Sequence, residues 1–306
     1  MGRAVRIAFF GLPLAALLLA ADGHELVYAG ICRKNALGTR RLIRTLGDRV
    51  AIVPRLTDAA VAARIEATRP DLLVSWFWTK RIPDRLLRLP PLGTVGVHPS
   101  LLPRHRGPDP YFWTIFEGDA EAGVTAHRLE RDYDTGAMLG KRAIAVDPSW
   151  SAWTLAKKLD RPSLRLLRDV VGAFAEGRPP EESRQDESRA TSAPSPSEDA
   201  LRLDPAQKTA ESLARLVRAA SPYPGAYLHL EGEVVVVTRA SVEPNVPRAL
   251  VPGEAATVNG RAVVRAADTG LALLSGRLVG DDEERELSEA EMASLVARLS
   301  RDAALA

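Results

Sequence analysis

A histidine and an aspartate thirty-six positions apart are the residues of this 306-residue chain best suited to chemistry. His98 ends the apolar run GTVGVH and opens a proline-constrained loop, PSLLPRHRG. Asp134 lies in the tight Asp134-Thr135-Gly136 turn. An imidazole and a carboxylate brought to one sheet edge form an acid/base pair. Taken singly, each has an ordinary structural explanation. A strand-end histidine is usually a satisfied structural group, and Asp and Gly favour turns for backbone reasons. Arg104 and Arg106, in the same loop, suit an anionic group. A second Asp-Thr-Gly triplet at Asp268 raises the alternative of an aspartic protease, in which two carboxylates share a proton.

The elements around these residues argue against the protease. Arg3 and Arg6 precede IAFFGLPLAALLLAA, which has the look of a secretory leader. The spacing instead predicts a strand (VRIAFF), a turn at Gly11, a helix opened by Pro13 and closed by Gly23, and a second strand, HELVYAGI. A single Gly11 is not a dinucleotide fingerprint, which needs GxGxxG. RRLIRTLG reads as a helix and RVAIVPRL as a strand. TDAAVAARIEATRP reads as a helix capped by Thr57 or Asp58. DLLVSWFW reads as a strand buried on both faces, and GTVGVH as the next. This alternation predicts an α/β fold with a mostly parallel, Rossmann-like sheet, whose ligands bind beyond the carboxyl ends of the strands. His98 is at such an end. Pepsin-like folds are built of strands throughout, so Asp268 reads as a hairpin turn.

Further along come a helix (YFWTIFEGD), strands GVTAHRLE and GKRAIAV, and a long helix from Ser151. Residues 178–199, rich in Pro, Ser and charge, read as a linker between a first domain at 1–177 and a second at 200–306. The second carries a helix (AESLARLVRAAS), short alternating runs separated by Glu-Gly and Asn-Gly turns, and a final helix, SEAEMASLVARLS. That pattern predicts a small, OB-like β-barrel.

Composition sets the outer limits. Hydrophobic residues make up 46% and charged residues 26%, which excludes a disordered, collagen-like or multi-span membrane chain. Cys32 is the sole cysteine, so no disulfide and no zinc site built on cysteine pairs can form, and no metal is expected. A lone thiol suits the cytoplasm. Residues 1–180 hold 27 basic against 18 acidic residues, whereas 181–306 hold 14 against 21. The first part therefore suits an anionic ligand, and the second is a poor surface for nucleic acid.

HPSLLPRHRG followed by GVTAHRLERDYDTGAML resembles the core of the 10-formyltetrahydrofolate-dependent formyltransferases. PDLLVSWFWTKRIPDRLLRLPPLG and SPYPGAYLHLEG extend the resemblance in order over nearly the whole chain, closest in architecture to methionyl-tRNA formyltransferases. The resemblance implies formyl transfer from 10-formyltetrahydrofolate to a primary amine, with initiator methionyl-tRNA as one acceptor and no membrane or disulfide-linked partner. It also implies an Asn, a His and an Asp that hold the developing oxyanion and move protons. His98 and Asp134 match two of them. The family's Asn-x-His reads Gly96-Val97-His98 here, so Gly96 offers no side-chain donor. Ser100, a backbone N–H or water could supply one, and the vacated space could admit a differently shaped acceptor. Losing one such donor typically costs about 10²–10³ in rate.

By the same resemblance, Trp78, Ser100, Leu101, Leu102, Pro103 and Asp132 line the folate, and Arg104 and Arg106 meet its glutamate tail or an acceptor phosphate. Core packing competes as the reading of Trp76, Phe77 and Trp78. The basic loop CRKNALGTRR is shorter than the one with which methionyl-tRNA formyltransferases grip tRNA. Residues 200–306 carry 12 basic and 15 acidic residues, which favours a smaller acceptor such as an amino sugar nucleotide. The missing Asn also keeps open a folate- or RNA-binding module without transfer activity.

Overall fold

The computed structural model describes residues 3–280 and 284–305. The chain divides into two compact units. The first comprises the residues up to Pro110, Glu121–Ala145 and Lys157–Pro194; the second comprises Tyr111–Ala120, Val146–Ala156 and the residues from Ser195 on.

The first unit is built on seven strands: β1 (Arg6–Gly11), β2 (Glu25–Ile31), β3 (Val50–Ile52), β4 (Leu72–Trp76), β5 (Thr94–His98), β6 (Glu121–His127) and β7 (Met138–Ala145). Their order is β3-β2-β1-β4-β5-β6-β7. The first five run parallel, as the alternation predicts, while β6 runs against β5 and β7 runs against β6. In chain order the helices up to residue 175 are α1 (Pro13–Ala21), α2 (Thr39–Leu46), α3 (Ala59–Ala67) and α4 (Asp84–Leu87) of this unit, α5 (Pro110–Glu117), which from Tyr111 on belongs to the second unit, and α6 (Ala152–Ala175), which belongs to the first from Lys157 on. The strand–helix–strand reading of the N-terminal apolar stretch holds, with Pro13 in the first turn of α1. Asp58 caps α3 by accepting the Ala60 N–H at 2.8 Å. No described helix is long and apolar enough to cross a membrane.

Packing follows from these apolar runs. Phe10, Tyr28 and Leu73 on the sheet meet Ala62, Ile65 and Leu86 from α3 and α4 in one buried cluster. Each large side chain fully buried there stabilises the fold by roughly 1.5–3 kcal/mol. Strands β1, β2 and β4 are buried almost throughout, as sheets covered on both faces require.

The second unit holds α7 (Glu198–Leu201), α8 (Ala210–Ala220), β8 (Ala226–Leu230), β9 (Glu233–Glu243), β10 (Ala255–Val258), β11 (Arg261–Arg265), β12 (Gly270–Val279), β13 (Glu284–Leu287) and α9 (Glu289–Leu305). Its antiparallel sheet has the order β10-β11-β12-β9-β8 with β13 on β12, a half-barrel rather than a closed barrel. Thr209 caps α8, whose Leu213, Leu216 and Val217 are buried. Asp268 sits in the turn before β12, where its carboxylate accepts the N–H groups of Ala210 and Thr269 at 2.9 and 2.8 Å. That is the turn role predicted for it, and it leaves the protease alternative without its second carboxylate.

The expected linker requires correction. Residues 178–194 belong to the first unit and pair with it: Ser183 exchanges both backbone bonds with Met138, and Ala193 is fully buried. The composition reflects only how little apolar surface the segment brings. Its order comes from hydrogen bonds, which composition does not record.

Candidate active site

The reversal of direction at β6 builds the site. In the antiparallel β5–β6 pair, Gly96 lies opposite His127 and His98 opposite Thr125. Side chains two apart on a strand share a face, and so do directly opposed residues. Position 96, His98, Thr125 and His127 therefore look the same way. Asp134 comes back over this face from the β6–β7 turn with φ at 60°, a left-handed conformation that Asp tolerates better than most residues. The turn is drawn close: a Cβ at Gly136 would lie 2.0 Å from the Arg128 carbonyl oxygen, so only glycine fits there.

Asp134 stands between two imidazoles. Its Oδ2 lies 3.4 Å from His98 Nδ1, and its Oδ1 lies 3.5 Å from His127 Nε2. Oδ2 also accepts the Gly107 N–H at 3.0 Å. Both histidines are buried, and Asp134 is nearly so, at 16% exposed. Backbone carbonyls fix the protons on the far side of each ring. His98 Nε2 lies 2.8 Å from the His105 oxygen, and His127 Nδ1 lies 2.7 Å from the Arg128 oxygen. A carbonyl only accepts, so each of these nitrogens carries a hydrogen. On His98 both ring nitrogens therefore face an oxygen, Asp134 Oδ2 on one side and the His105 carbonyl on the other.

His127 differs. Burial pulls its pKa down to about 4, against the pull of the Asp134 carboxylate upward and with the His98 charge adding to the depression. At neutral pH it is uncharged, and its Nε2 lone pair is bare. The sign of the resulting pH dependence is definite. An unfolded histidine takes up its proton near 6.5, so between there and about 4 the unfolded chain binds more protons than the folded one. Stability is full above pH 6.5 and is lost on acidification, by roughly 1–3 kcal/mol in total. Denaturant melts of wild type and His127→Gln from pH 7 to pH 4 check this: the variant is expected to have the flatter profile.

The other expected site residues divide sharply. Ser100 donates its hydroxyl to the Arg104 carbonyl at 2.6 Å, so it is not a substitute for the missing amide. Leu101 packs over Gly123, and Leu102 is fully buried after donating its N–H to Thr125 Oγ1 at 3.1 Å. Pro103, joined to Leu102 by a cis bond, accepts the Thr191 N–H at 3.3 Å. Asp132 is exposed at the tip of the turn, where its carbonyl accepts from Thr135. Arg104 is half-buried in the loop. Arg106 is not a free cation: Gln185 and Glu187 hold its guanidinium, Glu187 by two bonds of 2.8 and 2.7 Å. Trp78 packs against Phe10 with ring centroids 5.5 Å apart, the core reading, although its Nε1 is buried with no hydrogen-bond partner. Trp76 donates its indole N–H to Ser163 at 3.0 Å.

The space at Gly96 is not vacant. A Cβ there would lie 2.4 Å from Leu129 Cδ2 and 3.3 Å from His127 Nε2. The end of the Leu129 side chain stands in the ground that an asparagine would need and must turn aside to admit one, or to admit an acceptor of different shape. His127 is the functional candidate that sequence reasoning missed. Its signal was present in the alternation of GVTAHRLE, but the strand's direction was needed to aim it.

Comparison with known proteins agrees with this architecture. The formyl transferase family model matches residues 43–171, and the formyl transferase C-terminal domain model matches 198–284. A methionyl-tRNA formyltransferase of Anaeromyxobacter sp. (strain K) is 35% identical over 301 residues, covering 90% of this chain and 92% of the relative. One from Thermus thermophilus is 32% identical over 88% of this chain and 90% of the relative. Among solved structures, HypX from Aquifex aeolicus, crystallised with tetrahydrofolic acid, shares the fold at a TM-score of 0.68 and 18% identity, over 96% of this chain and 47% of that longer one. An N-formyltransferase from Helicobacter canadensis shares it at 0.65 and 11% identity, over 88% of this chain and 98% of its own. Two family models in the right order, together with relatives that match nearly end to end, place the chain: it belongs to the formyltransferase family.

Proposed function

We propose that the chain transfers the formyl group of 10-formyltetrahydrofolate to a primary amine at His98, with methionyl-tRNA as the acceptor. The observation that carries the reading is the contact of Asp134 Oδ2 with His98 Nδ1 at 3.4 Å. The acceptor rests on relatives named methionyl-tRNA formyltransferase that cover about nine-tenths of the chain. The lone thiol, half-buried Cys32, goes with a reducing cytoplasm.

A folate bound at this face would supply the one-carbon unit, its formyl group passing from N10 to the amine nitrogen and the proton that the amine gives up passing to N10. The chain's own residues have three tasks. His98 offers its Nε2 hydrogen, held in this structure by the His105 carbonyl, to the oxygen on which negative charge develops. Asp134 holds the ring's other nitrogen and so fixes the ring's orientation. His127 Nε2 and Asp134 Oδ1, two acceptors 3.5 Å apart, receive an N–H of the amine and so turn its lone pair toward carbon. The fit to a folate is supported by Trp78 Nε1, an orphaned buried donor just beyond the carboxyl end of β4, where ligands of such sheets bind.

Gly96 and Leu129 favour one further reading, a module that binds folate without transfer. An assay on charged initiator tRNA beside a panel of amino sugar nucleotides and small amines, with calorimetric titration of folate, separates the possibilities. Formylation of the tRNA is expected. Folate binding with no transfer to any amine overturns the proposal in favour of the module, and transfer confined to small amines overturns the choice of acceptor.

A further inference from the structure

The 182–193 segment lies across both loops that carry the site, entirely within the first unit. Gln185 is its central contact. The Gln185 side-chain oxygen accepts from Arg106 Nε and Nη2 at 3.1 and 2.8 Å, and its NH₂ donates to the carbonyls of Asp134 and Gly136 at 2.7 and 2.8 Å. All four hydrogen-bonding positions of one amide are therefore used, two on the loop that begins at His98 and two on the turn that contains Asp134. From this geometry we propose that Gln185 is the positioning residue that sets His98 against Asp134.

Nearby contacts give the amide a fixed base. Thr191 Oγ1 accepts the His105 N–H at 2.9 Å, and the Arg106 N–H donates to the Thr191 carbonyl at 2.9 Å. The Ala193 N–H donates to the Arg106 carbonyl at 2.6 Å. The segment also explains Gly107: its φ is 124°, and a Cβ there would lie 2.8 Å from the Ala193 oxygen. The two carbonyls that Gln185 engages, those of Asp134 and Gly136, flank the left-handed backbone of the turn. No other residue type serves equally well. Glutamate would satisfy Arg106 but set a carboxylate oxygen against two carbonyls, and asparagine is one carbon too short to reach both loops. The loops also meet at the bond from Gly107 N–H to Asp134 Oδ2. Gln185 ties them again from the far side through both of its amide ends, which fixes an orientation where a single bond fixes only a distance.

The catalytic consequence rests on the formyl-transfer reading; the geometric one does not, and the test keeps them apart. Full-length Gln185→Glu and Gln185→Ala are compared with wild type and with Glu187→Gln, which removes only the ion pair on the outer edge of Arg106. Steady-state transfer is measured together with ¹⁵N-histidine spectra that follow the ring N–H of His98 facing Asp134. For both Gln185 variants kcat is expected to fall about 10²-fold, as for a misplacement of about 1 Å, with KM for folate little changed. The His98 ring signal is expected to be lost by rapid exchange, while Glu187→Gln keeps both. A wild-type kcat or an intact ring signal in Gln185→Glu, which has the same shape, overturns the proposal. Should wild type formylate no acceptor, the functional reading fails, and the ring signal alone still decides: its loss in Gln185→Glu supports the positioning role, and its retention refutes it.

Discussion

Alanine at His98 is expected to lower formyl transfer by about 10³-fold or more while folate still binds. Two functions go with the ring. Positioned proton transfer contributes roughly 10²–10⁴ in rate, and an oxyanion donor contributes about 10²–10³. The second loss weighs heavily here, because Gly96 supplies no companion donor and Ser100 is committed to Arg104. Removing the ring also strands the His105 carbonyl, which now accepts from Nε2 at 2.8 Å, and takes a partner from Asp134 Oδ2. A drop of about 1–3 kcal/mol in stability should accompany the change. His98→Gln retains a donor at that depth and should fold better while remaining nearly inactive, since an amide neither carries nor moves the proton. Single-turnover transfer, with folding monitored by circular dichroism, checks both variants. A rate in His98→Ala within about tenfold of wild type would remove the ring from the mechanism.

Restoring the family's asparagine should fail alone and succeed in company. Gly96→Asn sets a Cβ 2.4 Å from Leu129 Cδ2, so Leu129 must leave its place beside the core. Overpacking of this kind costs about 1–3 kcal/mol, and the leucine competes with the new amide for the same ground and keeps it from its working position. We expect no gain in kcat from the single variant. Gly96→Asn with Leu129→Ala opens the space, and the amide then adds a donor worth up to about 10²-fold in kcat. Measuring kcat and unfolding midpoints for the two singles and the double completes a cycle whose coupling is the informative quantity. Additive effects would mean that Leu129 does not stand in the asparagine's place.

How far the sequence reaches can be seen residue by residue. The strands β1, β4 and β5 were legible because a strand buried on both faces reads as a continuous apolar run. The Asp58 cap was legible because capping is local chemistry. His98 at the mouth of β5 followed from those strands. His127 did not follow, because its relevance depends on β6 running against β5, with Gly96 opposite it. Strand direction and register are set by tertiary pairing, not by the pattern of a single strand. Leu129 was hidden for the same reason: an absent side chain at position 96 suggests space, and only the packed structure shows what fills it. Residues 178–194 misled in the opposite sense. Their polar composition correctly reports that they bury little, yet Gln185, Thr191 and Ser183 gain their order from carbonyls and amides contributed by distant loops. Arg106 illustrates the cost of reading a charge without its partner, since the glutamate that neutralises it lies 81 positions away.

Whether His98 receives the formyl oxygen is decided by a crystal structure of the chain with 5-formyltetrahydrofolate, a stable relative of the donor. The pterin is expected beyond the carboxyl ends of β4 and β5, with the formyl oxygen on His98 Nε2 in place of the His105 carbonyl and Asp134 still paired to the same ring. A folate bound elsewhere, with the His98–His105 contact intact, would contradict it.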